Sequence, residues 1–447
     1  MRSEVLACLR KKSSRRSVRE ILNRQANRVI QEVQEVQAAQ VCLTIRITIQ
    51  TDLIHQSLVH QGSPVETAIK TISVLIISLS VCSFAGYASG IPIGISESLW
   101  RQRIPKNNPM SAEKVALGRA LFFDKRLSRD GSVSCAVCHD PARAFTDANV
   151  IAEGVGAKKG TRNSPTILNS VFSELLFWDG RALSLEDQVN HPLVSSFEMG
   201  METEQDLVSR VSSISGYRRQ FRQVFKAEGI RMSTIAKAIA AYERTLLSGN
   251  SPFDRFITGN SAAITATQLR GWELFKGKAK CIECHSYSLN SPFFTDFKFH
   301  NTGVAVADSL FETFINNLTG SSRPTTPLVL AHSDGYSELG RYAVTRQPPD
   351  IGAFKTPTLR DVELTSPYMH NGSLKTLLDV VRFYNRAGTA NSHLDSRMQP
   401  LQLTDAEMND LVEFMRALTS DDVLRECQTT RPQTRTTTLQ KEPLRRN

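Results

Sequence analysis

Two copies of Cys-x-x-Cys-His, Cys135-Ala-Val-Cys138-His139 and Cys281-Ile-Glu-Cys284-His285, constrain this chain more than any other feature. Two thiols three positions apart can each add to a vinyl group on one edge of a porphyrin, and the next residue then offers an imidazole to the iron. The spacing is that of covalent c-type haem attachment, with His139 and His285 as proximal ligands. A zinc knuckle could use the same four cysteines, but it would leave the histidine after each pair unexplained. A redox dithiol needs neither the histidine nor a second copy. The chain therefore reads as a protein with two covalently bound haem c groups.

Helix signals surround both motifs. Ser111 can cap a helix carrying Val115, Leu117, Leu121 and Phe122 ahead of the first. Thr265 and Gln268 form a capping-box pattern before Leu269, Trp272 and Phe275, ahead of the second. A further helix is predicted from Thr404, with Glu407 three residues on and an apolar face of Leu411, Phe414, Met415 and Leu418. Ile235–Leu247 is also helix-like, and Ser248–Pro252 marks a boundary after it. The fold class is mainly α: two cytochrome c-like haem domains in tandem, predicted over 105–250 and 260–420.

The 447 residues are enough for two or three domains. The net charge of +10 lies largely outside the haem-bearing body: residues 1–70 carry 11 Lys/Arg against 6 Asp/Glu, and residues 421–447 carry 6 against 4. A body close to neutral gives no support to a nucleic-acid partner. Thr71–Ala88 is an eighteen-residue run without a charge, preceded by Lys70 and closed by small residues. It reads as an export signal within residues 71–90, with an N-terminal membrane anchor as the alternative. The location expected is the periplasm. Residues 1–70 form a polar, basic extension longer than a signal requires, so a translation start near Lys70 is expected. The tail 421–447, rich in Thr, Arg and Gln, reads as disordered. Of the cysteines outside the motifs, Cys8, Cys42, Cys82 and Cys427 are scattered and suggest no disulfide framework.

Between about Pro109 and Leu418, the strings LGRALFFDKRLSRDGSVSCAVCHDP, RNSPTILN, FWDGRALSLEDQ, FEMG, FHNTG and FKTPTLRDVELTSPYMHNGS together resemble the bacterial di-haem cytochrome c peroxidase and MauG superfamily. The resemblance implies that the first haem is the peroxide site. Its distal groups would be a Gln and a Glu ten and twenty residues after the Trp of WDGR, here Gln188 and Glu198 after Trp178. Glu198 would serve as acid–base, Gln188 would orient peroxide, and Trp178 would relay electrons between the haems.

Two departures refine this. Typical peroxidases of the family carry a blocking His seven residues before the Arg of RNSPT; counting back from Arg162 gives Val155, which cannot ligate iron. The first iron is thus expected to be open without reductive activation. Typical members also supply Met to the second iron, eight residues after the Thr that follows the HNG string. Thr376 plus eight is Tyr384, as in MauG-type proteins. A phenolate is a harder, more anionic ligand than a thioether and lowers the potential. Packing by Tyr384, with Met369 or His370 as ligand, is the alternative.

The resemblance also implies an interdomain calcium ion held by the Asn163 side chain and the carbonyls of Thr365 and Pro367. By spacing alone, an Asn before Ser-Pro is merely a turn residue. The function expected is a periplasmic peroxidase acting on hydrogen peroxide and drawing electrons from a small donor protein. The alternatives are a MauG-type enzyme oxidising Trp or Tyr of a partner protein, and a non-catalytic di-haem electron carrier. A homodimer is compatible with this reading.

Overall fold

The capping residues set the helix starts. Ser111 Oγ accepts the Lys114 N–H at 3.2 Å, and Thr265 and Gln268 make a reciprocal capping box, as do Thr404 and Glu407. Residues 90–305, 308–320, 326–333 and 335–430 are described by a computed structural model and belong to a unit that runs from Gly86 to Asn447. In chain order its helices begin with α1 (Glu97–Gln102), α2 (Ala112–Phe123), α3 (Cys135–Cys138), α4 (Leu185–Val194), α5 (Glu204–Ser213), α6 (Ser215–Phe225), α7 (Met232–Glu243) and α8 (Pro252–Ile257). There follow α9 (Ala266–Lys276), α10 (Asp308–Gly320), α11 (Pro327–Ala331), α12 (Tyr342–Thr345), α13 (Leu377–Asn385), α14 (Asp405–Arg416) and α15 (Asp421–Thr430). Among the described residues the strands are β1 (Phe299–His300) and β2 (Phe354–Lys355), which pair antiparallel with Phe299 opposite Lys355. The fold is mainly α.

Each motif comes after a helix that crosses a later one at a glycine. At Gly118 of α2, an added Cβ would lie 1.8 Å from the Ala238 carbonyl oxygen of α7; at Gly271 of α9, it would lie 2.0 Å from that of Asp410 in α14. Backbone meets backbone at both crossings, so no side-chain rotation makes room. Leu117, Leu121, Phe122, Ile235 and Ile239 bury one side of the first crossing; Trp272, Phe275, Leu411 and Phe414 do the same at the second. Gly118→Val is expected to destabilise the holo protein by about 3 kcal/mol, the upper part of the range for overpacking. The check is the midpoint of urea unfolding.

Asp421–Thr430 correct the expectation of a disordered tail. Ser420 accepts the Val423 N–H on its hydroxyl, and the helix buries Val423 and Cys427, four residues apart, in the first core. The Ala144 N–H donates to Cys427 Sγ at 3.3 Å. A two-residue apolar stripe inside a Thr- and Arg-rich stretch is too short to stand out by composition. Residues 1–89, including the expected export signal, and 431–447 lie outside the described residues. Among the described residues, no helix is long and apolar enough to cross a membrane.

Candidate active site

The haem motifs come from short helical turns, and the loop after each motif is built on the same plan. His139 Nδ1 hydrogen-bonds the Phe145 carbonyl at 3.2 Å, and His285 Nδ1 hydrogen-bonds the Phe294 carbonyl at 3.0 Å. Both phenylalanines adopt left-handed backbone conformations, with φ of 58° and 53°. A carbonyl partner makes Nδ1 the donor, which leaves the Nε2 lone pair able to ligate a metal. Burial pushes both imidazoles below their ordinary pKa and favours the neutral, ligating form.

The duplication continues outward from these loops. Thr146 and Thr295 donate their hydroxyls to the carbonyls of Ser164 and Thr356, at 2.8 and 2.7 Å. Thr166 and Thr358 donate back to those of Ala144 and Phe293, each at 2.7 Å. The sequence signal is a repeated Phe-Thr-Asp (145–147 and 294–296) and a repeated Pro-Thr (165–166 and 357–358), too short to be noticed without the structure.

One continuous, largely apolar cavity joins the two motifs. It is lined by Cys135, Cys138, His139, Cys281, Cys284 and His285, and also by Trp178, Gln188, Glu198, Tyr384, Asn163, Thr365 and Pro367. The candidate haem-binding, distal and calcium-binding residues thus face a shared space. The four motif cysteines form no disulfide, and burial pushes the thiols of Cys281 and Cys284 up to about 12 and about 11. That is the opposite of an activated redox dithiol. An apolar cavity with paired thiols and an anchored imidazole at each end fits two covalently held porphyrins.

Local packing positions each side chain. Gln188 lies on α4, whose start is capped by Ser184 Oγ accepting the Asp187 N–H at 3.1 Å. Glu198 lies in the turn after that helix, where its carbonyl accepts the Val155 N–H at 2.8 Å. The two loops touch so closely that a Cβ on Gly154 would meet the Phe197 carbonyl at 2.0 Å. Val155 itself is buried in the first apolar core beside Gly200 and does not line the cavity.

Burial alone would raise the Glu198 pKa, but His332, Arg181 and Ser195 outweigh it and hold the carboxyl below its usual value. Its Oε2 has no hydrogen-bond partner among the described residues. His332 is the residue the sequence reading missed. It comes from the turn after α11, lines the same cavity, and places Nε2 3.9 Å from Glu198 Oε1.

Trp178 donates its indole N–H to the Asn163 carbonyl at 2.9 Å. Next to it, buried Asp179 pairs with Arg162 at 2.7 Å and Arg181 at 3.0 Å. The Asn163 amide nitrogen is used on the Asn149 carbonyl at 2.7 Å, which leaves its oxygen as the atom able to meet a cation. On the second side, burial pushes the Tyr384 phenol up, and the nearby Cys284 and Cys281 add to the effect. His370 stacks on Phe354 with ring centroids 3.6 Å apart and directs Nε2 to Glu338 at 3.0 Å. With that nitrogen committed, His370 is poorly placed as an iron ligand.

Two haem-attachment sites in tandem over a shared cavity define a di-haem c-type cytochrome architecture. The sequence profile described as di-haem cytochrome c peroxidase matches residues 112–262. Cytochrome-c peroxidase IdrP1 of Denitromonas iodatirespirans is 40% identical over 369 residues, covering 80% of this chain and 95% of that protein. Methylamine utilization protein MauG of Methylorubrum extorquens is 39% identical over 318 residues, covering 71% and 81%. A solved MauG-like protein associated with microbial copper homeostasis aligns with a TM-score of 0.61 at 33% identity, over 72% of this chain and 93% of that one. The chain belongs to the di-haem cytochrome c peroxidase and MauG family. It is accordingly a peroxidase-like oxidoreductase that carries two haem c groups.

Proposed function

We propose that this enzyme is an exported, MauG-like di-haem peroxidase that reduces hydrogen peroxide at its first haem without reductive activation. The observation that carries the reading is the pairing of Glu198 and Gln188 in the cavity with a loop that presents Val155 to the apolar core. Typical peroxidases of the family place a blocking histidine at that loop position; a buried Val offers no ligand.

Haem c, when bound, supplies the redox-active iron on which peroxide reduction depends. The residues supply the rest. Gln188 orients peroxide by hydrogen bonding. Glu198, its carboxyl held below the usual pKa by His332 and Arg181, accepts a proton from one peroxide oxygen and returns it to the other, which leaves as water. Trp178, held by the Asn163 carbonyl, provides an aromatic path along the cavity that joins both motifs. Tyr384 would hold the second haem's iron from the cavity side, and Asn163, Thr365 and Pro367 would hold a calcium ion at the junction. Electrons come from a small donor protein. Oxidation of Trp or Tyr on a partner protein is the second reading, favoured by Tyr384, because an anionic ligand suits the second haem to holding an oxidising equivalent.

The test is peroxide consumption by the oxidised, as-isolated enzyme with an artificial electron donor. Turnover should begin without a lag. Activity that arises only after prereduction would contradict the proposal.

A further inference from the structure

Glu198 needs a source of protons, and the structure offers one. Reduction of one hydrogen peroxide to two waters takes up two electrons and two protons. A single carboxyl can move a proton from one peroxide oxygen to the other, but the net pair must be resupplied from outside. Resting on the peroxidase reading above, we propose that His332 positions the Glu198 carboxylate and exchanges protons with it.

The geometry is specific. His332 Nδ1 bonds the Leu328 carbonyl at 2.9 Å, so Nδ1 carries a proton. Nε2 is then a lone pair in the neutral ring and a donor in the cation, and it is this nitrogen that faces Glu198 Oε1 at 3.9 Å. The gap is too long for a direct hydrogen bond and suits one bridging water or a small side-chain movement. The ring stacks on Phe197, next to Glu198, with centroids 5.2 Å apart and planes 14° from parallel. The segment around it is tied to the first half of the chain: Thr161 Oγ1 donates to the Ala331 carbonyl at 2.5 Å, and Arg162 donates to that of Ser337 at 2.7 Å.

The other ionisable neighbours of Glu198 are poor relays. Arg181 and His191 reach it electrostatically, as do Cys135, Cys138 and His139 on the motif side. Arg181 does not deprotonate in proteins. His191 lies 3.7 Å from Asp187, and His139 is committed through Nδ1 to Phe145. Lys158, whose ammonium lies 5.9 Å from the Phe197 ring centre, donates to the Ser196 carbonyl instead.

Cyanide association with the oxidised holoenzyme tests this without turnover, because hydrogen cyanide must give up its proton to a distal base as the anion binds. His332→Phe keeps the stack on Phe197 and removes both nitrogens; His332→Gln keeps a polar group and serves if the Phe variant fails to fold. Either should slow cyanide association and peroxide consumption by about tenfold, the low end for losing an outer partner of a working group. In a Glu198→Gln background the same change should add less than twofold, since it acts through Glu198. Association within twofold of wild type, or a loss fully additive with Glu198→Gln, would overturn the proposal. So would a low-spin first haem that turns high-spin in His332→Phe, which would make His332 an iron ligand. A wild type that binds cyanide rapidly yet consumes no peroxide would reject the peroxidase reading alone.

Discussion

Glu198→Gln should lower the rate of peroxide consumption by about 10²- to 10⁴-fold, the span that a positioned acid–base contributes. The substitution keeps the shape of the side chain and removes the titrating carboxyl. The Glu198 backbone still accepts the Val155 N–H at 2.8 Å, so the contact between the two loops survives. Haem content and thermal stability should therefore match wild type, and the deficit should fall on kcat/KM for peroxide. A variant within threefold of wild type would remove Glu198 from the chemistry. It would also leave His332, 3.9 Å away, without a role there.

Tyr384→Met should raise the reduction potential of the second haem by roughly 100 mV or more, within the range of about 0.8 V that axial ligands span. Replacing an anionic phenolate with a neutral thioether removes charge that stabilises the oxidised metal. Tyr384 lies on α13, where Thr376 caps the helix start, and it shares its cavity with Cys281, Cys284 and His285. The variant should accept electrons from a high-potential donor more readily and lose any capacity to oxidise a partner protein. Spectroelectrochemical titration of both haems reads the shift directly. An unchanged potential would mean that Tyr384 only packs.

These residues differ in how visible they were in the sequence. The haem sites were fully legible, because thioether chemistry demands a fixed local spacing. Helix starts at Ala112, Ala266 and Asp405 were legible too, since a cap and its partner lie three residues apart. Glu198, Gln188 and Tyr384 are legible only by counting along a family pattern, and all three line the cavity that the haem motifs also line.

The features that escaped the sequence depend on contacts between distant segments. His332 is separated from Glu198 by more than a hundred residues, and no motif surrounds it. The Phe145 and Phe294 carbonyls that anchor the histidines act through backbone, which carries no residue-type signal. Val155 was recognised as unable to ligate, but its burial in the first core depends on how two loops pack. The helix Asp421–Thr430 was masked by a polar composition around just two buried side chains.

The central claim is that two identical attachment motifs hold unequal irons, the first open beside Glu198 and the second closed by Tyr384. Low-temperature EPR of the oxidised, as-isolated protein, recorded beside Tyr384→Phe, tests this most directly. The account predicts one high-spin and one low-spin ferric signal in the wild type, with the low-spin signal converted to high-spin in the variant. Two low-spin signals in the wild type, or a low-spin signal that survives in Tyr384→Phe, would contradict it.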